Sequence, residues 1–192
     1  MFYGGSEVPL SDLGQEEARR AAAALRAEEL DRVLASPLSR ARFGADCLLQ
    51  DRPQLACQVV DGFREIDRGR WVGLTKEELD ARYPDDLASH ARDPESWDAH
   101  GGESLGSFRD RVVGTWARLE AELLELEAQE ARGLQVAVVS HLFPTRAILA
   151  HYRRVELAGW DEFKIPTASI SELEVRAAGE AEVLRVGWKP EA

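Results

Sequence analysis

The run from Leu134 to Leu149, L-Q-V-A-V-V-S-H-L-F-P-T-R-A-I-L, most constrains what this chain can fold into. Leu134, Val136, Ala137, Val138 and Val139 form an apolar stretch rich in β-branched residues, too short for a buried helix and preceded by Arg132-Gly133. That predicts a strand covered on both faces, of the kind parallel sheets use. Pro144 stands where a helix can begin without losing a needed amide donor, and Arg146 to Tyr152 continue with helix formers. Strand, turn and helix place Ser140 and His141 at the carboxyl end of a strand and beside a helix N-terminus. Open α/β sheets hold their ligands at such ends, and the backbone amides there favour an anion.

The remaining chain repeats this grammar. Met1 to Leu10 reads as loop, with Gly4-Gly5 and Pro9 and no sustained alternation. Ser11-Asp12 can cap a helix reaching about Glu28 or Glu29, with Leu13, Ala18, Ala21, Ala22 and Leu25 inward. Arg32 to Ala35 is a second short strand. Ser36-Pro37 after it is a strong helix start, and the helix over Leu38 to Gln50 carries Arg40 and Arg42 in its first turns. Cations there oppose the helix dipole unless an anion sits with them, so the pair is either a functional hint or a solvated surface.

Leu55 to Val60 predicts a third strand, followed by an irregular segment, Asp61 to Leu74, dense in charges and aromatics. Thr75 with Glu78 makes a capping box for a short helix ending before Pro84. Asp85 to Gly102, broken by Pro94 and Gly101-Gly102, reads as an excursion with a helical turn or two, of the kind that lines or lids a site. Leu105, Phe108, Val112, Trp116, Leu119, Leu123 and Leu126 define one long amphipathic helix ending at Gly133. Trp160 to Ile165 follows the helix after His141. Ser169 to Val175 and Glu182 to Trp188 then alternate around Ala178-Gly179, predicting an antiparallel hairpin at a sheet edge.

Composition bounds the function. The 192 residues suit a single domain, 1–192, large enough to bury a core without staples. A net charge of −11 argues against a nucleic-acid partner or an anionic membrane. No segment reads as an export signal or a membrane span. Cys47 and Cys57 lack metal-type spacing and point to reduced thiols in a cytoplasm. No metal cluster, Walker loop, dinucleotide fingerprint or Gly-x-Ser-x-Gly elbow is present, so no metal or cofactor is expected.

Of the four histidines, His90, His100 and His151 read as surface or capping residues. His141 at a strand mouth can donate to a phosphate oxygen, and a structural role is equally open. Arg40, at another strand mouth, could make the bidentate contact a phosphate prefers. Glu65 follows a third strand; buried, it could protonate a leaving alkoxide, and the competing reading is an ion pair with Arg64 or Arg70.

Taken in order, Y-G-x-x-x-V-P-L-S-x-x-G-x-x-x-A, S-P-L-S-R-A-R, R-E-I-D-R-G-R-W-x-G-L-T, G-G-E-S and V-V-S-H closely resemble the histidine phosphatase superfamily. That superfamily includes metal-independent phosphatases and phosphoglycerate mutases of the bisphosphoglycerate-dependent type. The match runs from Phe2 to about Leu149, and the first motif looks most like bacterial small-molecule phosphatases such as α-ribazole-phosphate phosphatases. The resemblance implies a three-layer α/β fold with helices on both faces of a mostly parallel sheet and an antiparallel edge hairpin. It also implies phosphomonoester hydrolysis through a phosphohistidine, acting on a small phosphorylated metabolite. By resemblance Arg40 is the phosphate-binding arginine, Glu65 the proton donor and His141 the second histidine of the phosphate pocket. Tyr3 and Gly4 then lie on its substrate side.

The family also has a central strand ending in Arg-His-Gly, whose histidine is the nucleophile, and no residue here matches it. Phe43-Gly44 and Leu142-Phe143 further replace the usual Gln-Thr and Gly-Gly, altering pocket shape rather than chemistry. Two expectations follow. Either the chain start is set too late, or this is a truncated, non-catalytic paralogue that binds phosphorylated ligands or a protein partner. In both cases the strands beside the missing one should carry unpaired backbone. Substrate identity, mutase against phosphatase activity and oligomeric state are not encoded in any of these motifs.

Overall fold

The computed structural model describes residues 1–191. Three parallel strands, β1 (Arg32–Ala35), β2 (Cys57–Val59) and β3 (Val136–Val139), form a sheet in the order β2-β1-β3. Alternate residues of β1 face opposite layers. Val33 and Ala35 pack with Ala22 of α1 (Asp12–Ala24) and with Ala45 and Leu48 of α2 (Ser39–Leu49). Leu34 packs on the other side, with Phe108, Val112 and Trp116 of α5 (Leu105–Glu130) and with Ala147 to Ala150 of α6 (Leu142–Arg153). Helices therefore cover both faces, as the resemblance implied.

The hairpin is also present: β4 (Ile170–Ala177) and β5 (Glu180–Trp188) pair antiparallel around Gly179, whose φ of +74° suits glycine. It forms a separate two-stranded sheet, so β3 hydrogen-bonds to β1 on one side only. All four β3 residues stay partly exposed, which corrects the expectation of a doubly buried strand. An edge strand lacks the lateral neighbour that would cover it.

Several boundaries move for identifiable reasons. Helix α1 ends at Ala24 rather than near Glu28, because Arg52 gathers the carbonyls of Leu25, Arg26 and Glu28 at 2.5, 3.3 and 3.0 Å. Helix α2 begins at Ser39 with Leu38 in extended backbone at its cap, and the Ser36 hydroxyl reaches the Leu38 N–H at 3.4 Å. Helix α5 stops at Ala131, in the left-handed region at φ 53°, two residues before Gly133. Helix α6 starts at Leu142, so Pro144 lies inside its first turn, where no amide partner is lost. Trp160 to Ile165 is not extended; Leu157–Glu162 forms a 3-10 turn that buries Trp160.

The Thr75–Glu78 capping box opens α3 (Lys76–Arg82) with both reciprocal bonds made. The excursion contains α4 (Asp86–Arg92) and folds onto Trp71. Asp86 receives the Trp71 indole N–H at 2.9 Å and the Arg70 guanidinium at 2.7 Å. His100 is not a surface residue: it is 2% exposed and stacks on Trp97, with Trp71 at 4.7 Å. The N-terminal loop is stitched down by Phe2 N–H to the Leu74 carbonyl and Gly5 N–H to the Ile66 carbonyl, both 2.8 Å. No helix among the described residues is long and apolar enough to cross a membrane.

Candidate active site

The carboxyl ends of β1 and β3 lie side by side, because Ala35 pairs with Val139. The residues just past each strand therefore meet: Ser36 Oγ and His141 Nε2 share a hydrogen bond of 2.7 Å. Ser36 is fully buried, and the hydroxyl that the sequence assigned to capping α2 also accepts the Leu38 N–H at 3.4 Å. His141 instead caps α6, its carbonyl accepting the Thr145 N–H at 3.1 Å and hydroxyl at 2.7 Å.

Arg40 sits in the first turn of α2. Its guanidinium donates to the Gly4 carbonyl at 2.9 Å and the Ser6 carbonyl at 2.8 Å, which ties the N-terminal loop to the strand ends. Gly4, at φ +50°, lies so close beneath the Ile66 carbonyl that a Cβ there would come within 2.6 Å of it. Only glycine fits that position. Tyr3 is in the same loop with its side chain largely exposed.

Glu65 completes the group. One carboxyl oxygen accepts the Ile66 N–H at 2.9 Å and the other the Phe143 N–H at 3.4 Å, a free amide of the first turn of α6. The ion pair with Arg64 or Arg70 does not form; Arg70 is committed to Asp86. The structure thus brings Arg40, Glu65 and His141 to one place, with Gly4 against Arg40 and Tyr3 beside it.

The electrostatics separate the two titratable groups. Burial pushes the Glu65 carboxyl above its usual range, against the two amides and the nearby Arg68 and Arg40, so the protonated form is favoured. Burial, followed by the charges of Arg40 and Arg64, pushes His141 down to about 3, so the imidazole is neutral near pH 7. A neutral acid and a neutral imidazole beside an arginine suit an incoming phosphate dianion: one can give a proton, the others can hold negative charge.

Three neighbours of this group escaped the sequence reading. Glu7, from the loop, accepts the Ser39 N–H at 3.1 Å and hydroxyl at 2.7 Å, so α2 already holds an anion beside its N-terminal arginines. No local pattern marks that long-range contact. Ser36 was read only as a cap, and Arg68 was one charge among many. Two cavities of about 370 and 670 Å³ lie elsewhere, around His151 and Arg154, and none of the three site residues lines them. Among the described residues no group of three His, Cys, Asp or Glu side chains is placed to hold a metal ion.

An arginine, a buried carboxyl and a neutral imidazole meet at strand ends beside two helix N-termini, where open α/β sheets hold anions. A family model for branch 1 of the histidine phosphatase superfamily matches residues 1–188, and the chain belongs to that superfamily. It is 32% identical over 170 residues to phosphoserine phosphatase 1 of Hydrogenobacter thermophilus, covering 88% of this chain and 76% of that protein. Against a glucosyl-3-phosphoglycerate phosphatase of Mycobacterium tuberculosis it is 29% identical over 159 residues, 83% of this chain and 70% of the other. It spans only 23% of the yeast fructose-2,6-bisphosphatase, with 34% identity over 115 residues, 60% of this chain. The structure of mycobacterial hydrolase 2 superposes with a TM-score of 0.84 at 25% identity, over 100% of this chain and 84% of that one. The α-ribazole phosphatase of Shigella flexneri shares the fold, with a TM-score of 0.80 at 19% identity, over 100% and 90%.

Proposed function

We propose that this chain, as one domain over residues 1–192, carries the phosphate-binding and proton-donating half of a phosphomonoester hydrolase that works through a phosphohistidine on a small phosphorylated metabolite. The observation that carries the reading is the convergence of Arg40, Glu65 and His141, with burial raising the pKa of the carboxyl and lowering that of the imidazole. In that chemistry a histidine nitrogen attacks phosphorus, the ester P–O bond breaks, and Glu65 delivers its proton to the departing oxygen. Water, activated by the resulting carboxylate, then cleaves the P–N bond. Arg40 and His141 hold the charge that builds on the phosphoryl oxygens. The relatives named above as phosphatases support the reaction class, and the free Cys47 and Cys57 accord with a cytoplasmic setting.

The attacking imidazole is matched by no described residue. His90 and His100 pack against Trp71, and His151 lines the separate cavities. His141 is the only imidazole placed with Arg40 and Glu65, and its role there is charge stabilisation. For the chain as given, the reading is therefore phosphate binding with negligible turnover, which also accommodates a non-catalytic paralogue that binds phosphorylated ligands. The experiment pairs inorganic phosphate binding by calorimetry with hydrolysis of p-nitrophenyl phosphate. Binding lost in Arg40→Met, with hydrolysis near background, is the expected result. Vigorous hydrolysis abolished by His141→Ala would place the nucleophile at His141 and overturn this assignment of roles.

A further inference from the structure

We propose that Arg68 is a specificity-determining residue that engages a second anionic group, carboxylate or phosphate, on the substrate. The inference rests on the phosphatase reading above and names the class of phosphomonoester that site takes. Three arginines of this molecule are nearly buried, at 8% exposed for Arg52, 8% for Arg68 and 9% for Arg146. Two of them have acceptors within the fold. Arg52 donates to the carbonyls of Leu25, Arg26, Glu28 and Leu48, and Arg146 to the Phe163 carbonyl and the Asp161 carboxylate. Among the described residues the Arg68 guanidinium has no hydrogen-bond acceptor and no ion-pair partner, although it carries five N–H donors. With the side chain largely buried and its N–H groups facing solvent, the guanidinium is an open contact for an anion, and a group that arrives with the ligand is the natural acceptor.

The position of Arg68 is built rather than incidental. The Gly69 N–H donates to Asp67 at 2.8 Å, the Arg70 N–H to the His100 carbonyl at 2.9 Å, and the Asp67 N–H to Glu103 at 3.0 Å, so the backbone is held on both sides. Gly69 is itself at φ +48°, with the His100 carbonyl 2.3 Å from where a Cβ would stand. From this base the Arg68 side chain passes against Gly4, and its guanidinium lies over the Phe143 ring at 4.6 Å. Gly4 supplies a carbonyl that accepts from Arg40, and Phe143 the backbone N–H that donates to Glu65. Arg68 therefore borders the Arg40–Glu65–His141 group, and both it and Arg40 bear electrostatically on Glu65. Alongside burial, the charge of Arg68 also reaches His90 and His100, lowering the pKa of both.

Matched ligands test this without relying on any variant. Calorimetry compares O-phosphoserine with O-phosphoethanolamine, which differ by one carboxylate, and ethylene glycol bisphosphate with ethyl phosphate, which differ by one phosphate. Inorganic phosphate is the common reference. The expected result is that the more anionic member of at least one pair binds about tenfold tighter, as one charge-assisted contact allows. Arg68→Met should erase that preference while leaving the inorganic phosphate Kd within about twofold, and Arg68→Lys should restore part of it. Equal affinities within both pairs, with inorganic phosphate still bound, overturn the role of Arg68 and leave the phosphatase reading standing. So does an Arg68→Met variant that weakens inorganic phosphate as much as the anionic ligands, since Arg68 would then act only as general support. Failure of the wild-type protein to bind inorganic phosphate at all sinks the phosphatase reading itself.

Discussion

Strands β1 and β3 are each four residues long, similarly apolar and paired with one another in parallel register, yet they end in different environments. Val33, Leu34 and Ala35 of β1 are 1%, 1% and 0% exposed, while every residue of β3 keeps some contact with solvent. The difference is lateral. β1 lies between β2 and β3, whereas β3 has β1 alone, and the hairpin β4–β5 pairs only with itself. An apolar run is thus enough to specify a strand and the layers above and below it. It does not specify who lies alongside.

The largest effect should come from giving β3 the neighbour that β1 already has. Extending the chain with a strand ending in Arg-His-Gly, taken from an active relative, should raise p-nitrophenyl phosphate hydrolysis by roughly 10³-fold or more, since a nucleophile would then face Glu65. The same extension should protect the amides of Val136 to Val139 from hydrogen exchange to the level of β1. Unchanged activity and exchange would mean that the exposure of β3 has another origin.

Truncating each strand in its present setting sharpens the contrast. Leu34→Ala removes a side chain enclosed on all sides and should cost about 3 kcal/mol in urea unfolding. Val138→Ala, at the open edge, should cost about 1 kcal/mol or less. Similar losses at both positions would show that the sheet's free edge is covered in solution.

The smallest effect concerns pH. His141 is held at about 3 in the folded chain against about 6.5 when unfolded, so the unfolded state binds more protons between those values. Its contribution to stability is complete above about pH 6.5 and declines as pH falls toward 3. His141→Asn should flatten the acid limb of the stability curve over that window, read by thermal melts at fixed ionic strength. A steeper limb in the variant would contradict a neutral His141.

Much of this was legible beforehand where the determining interactions are local. The Thr75–Glu78 box, the Arg32–Ala35 strand, the glycine-turned hairpin and the heptad-like stripe of α5 all rest on neighbours within a few residues. The errors share the opposite cause. The early end of α1 depends on Arg52, more than 20 residues away, and the burial of His100 depends on two tryptophans from separate segments. Ser36 looked only like a helix cap, and its hydroxyl also bonds His141, 105 positions later.

By itself the sequence determined the order of strands and helices and the placing of Arg40 and His141 just beyond strand ends, because hydrophobic period, caps and turn residues act over one or two turns of chain. Only the tertiary structure decided that burial raises the pKa of Glu65, that Ser36 bonds His141, and that Arg68 is largely buried beside them. Those outcomes depend on desolvation and on hydrogen bonds between groups far apart in the chain, and both are set when the layers close.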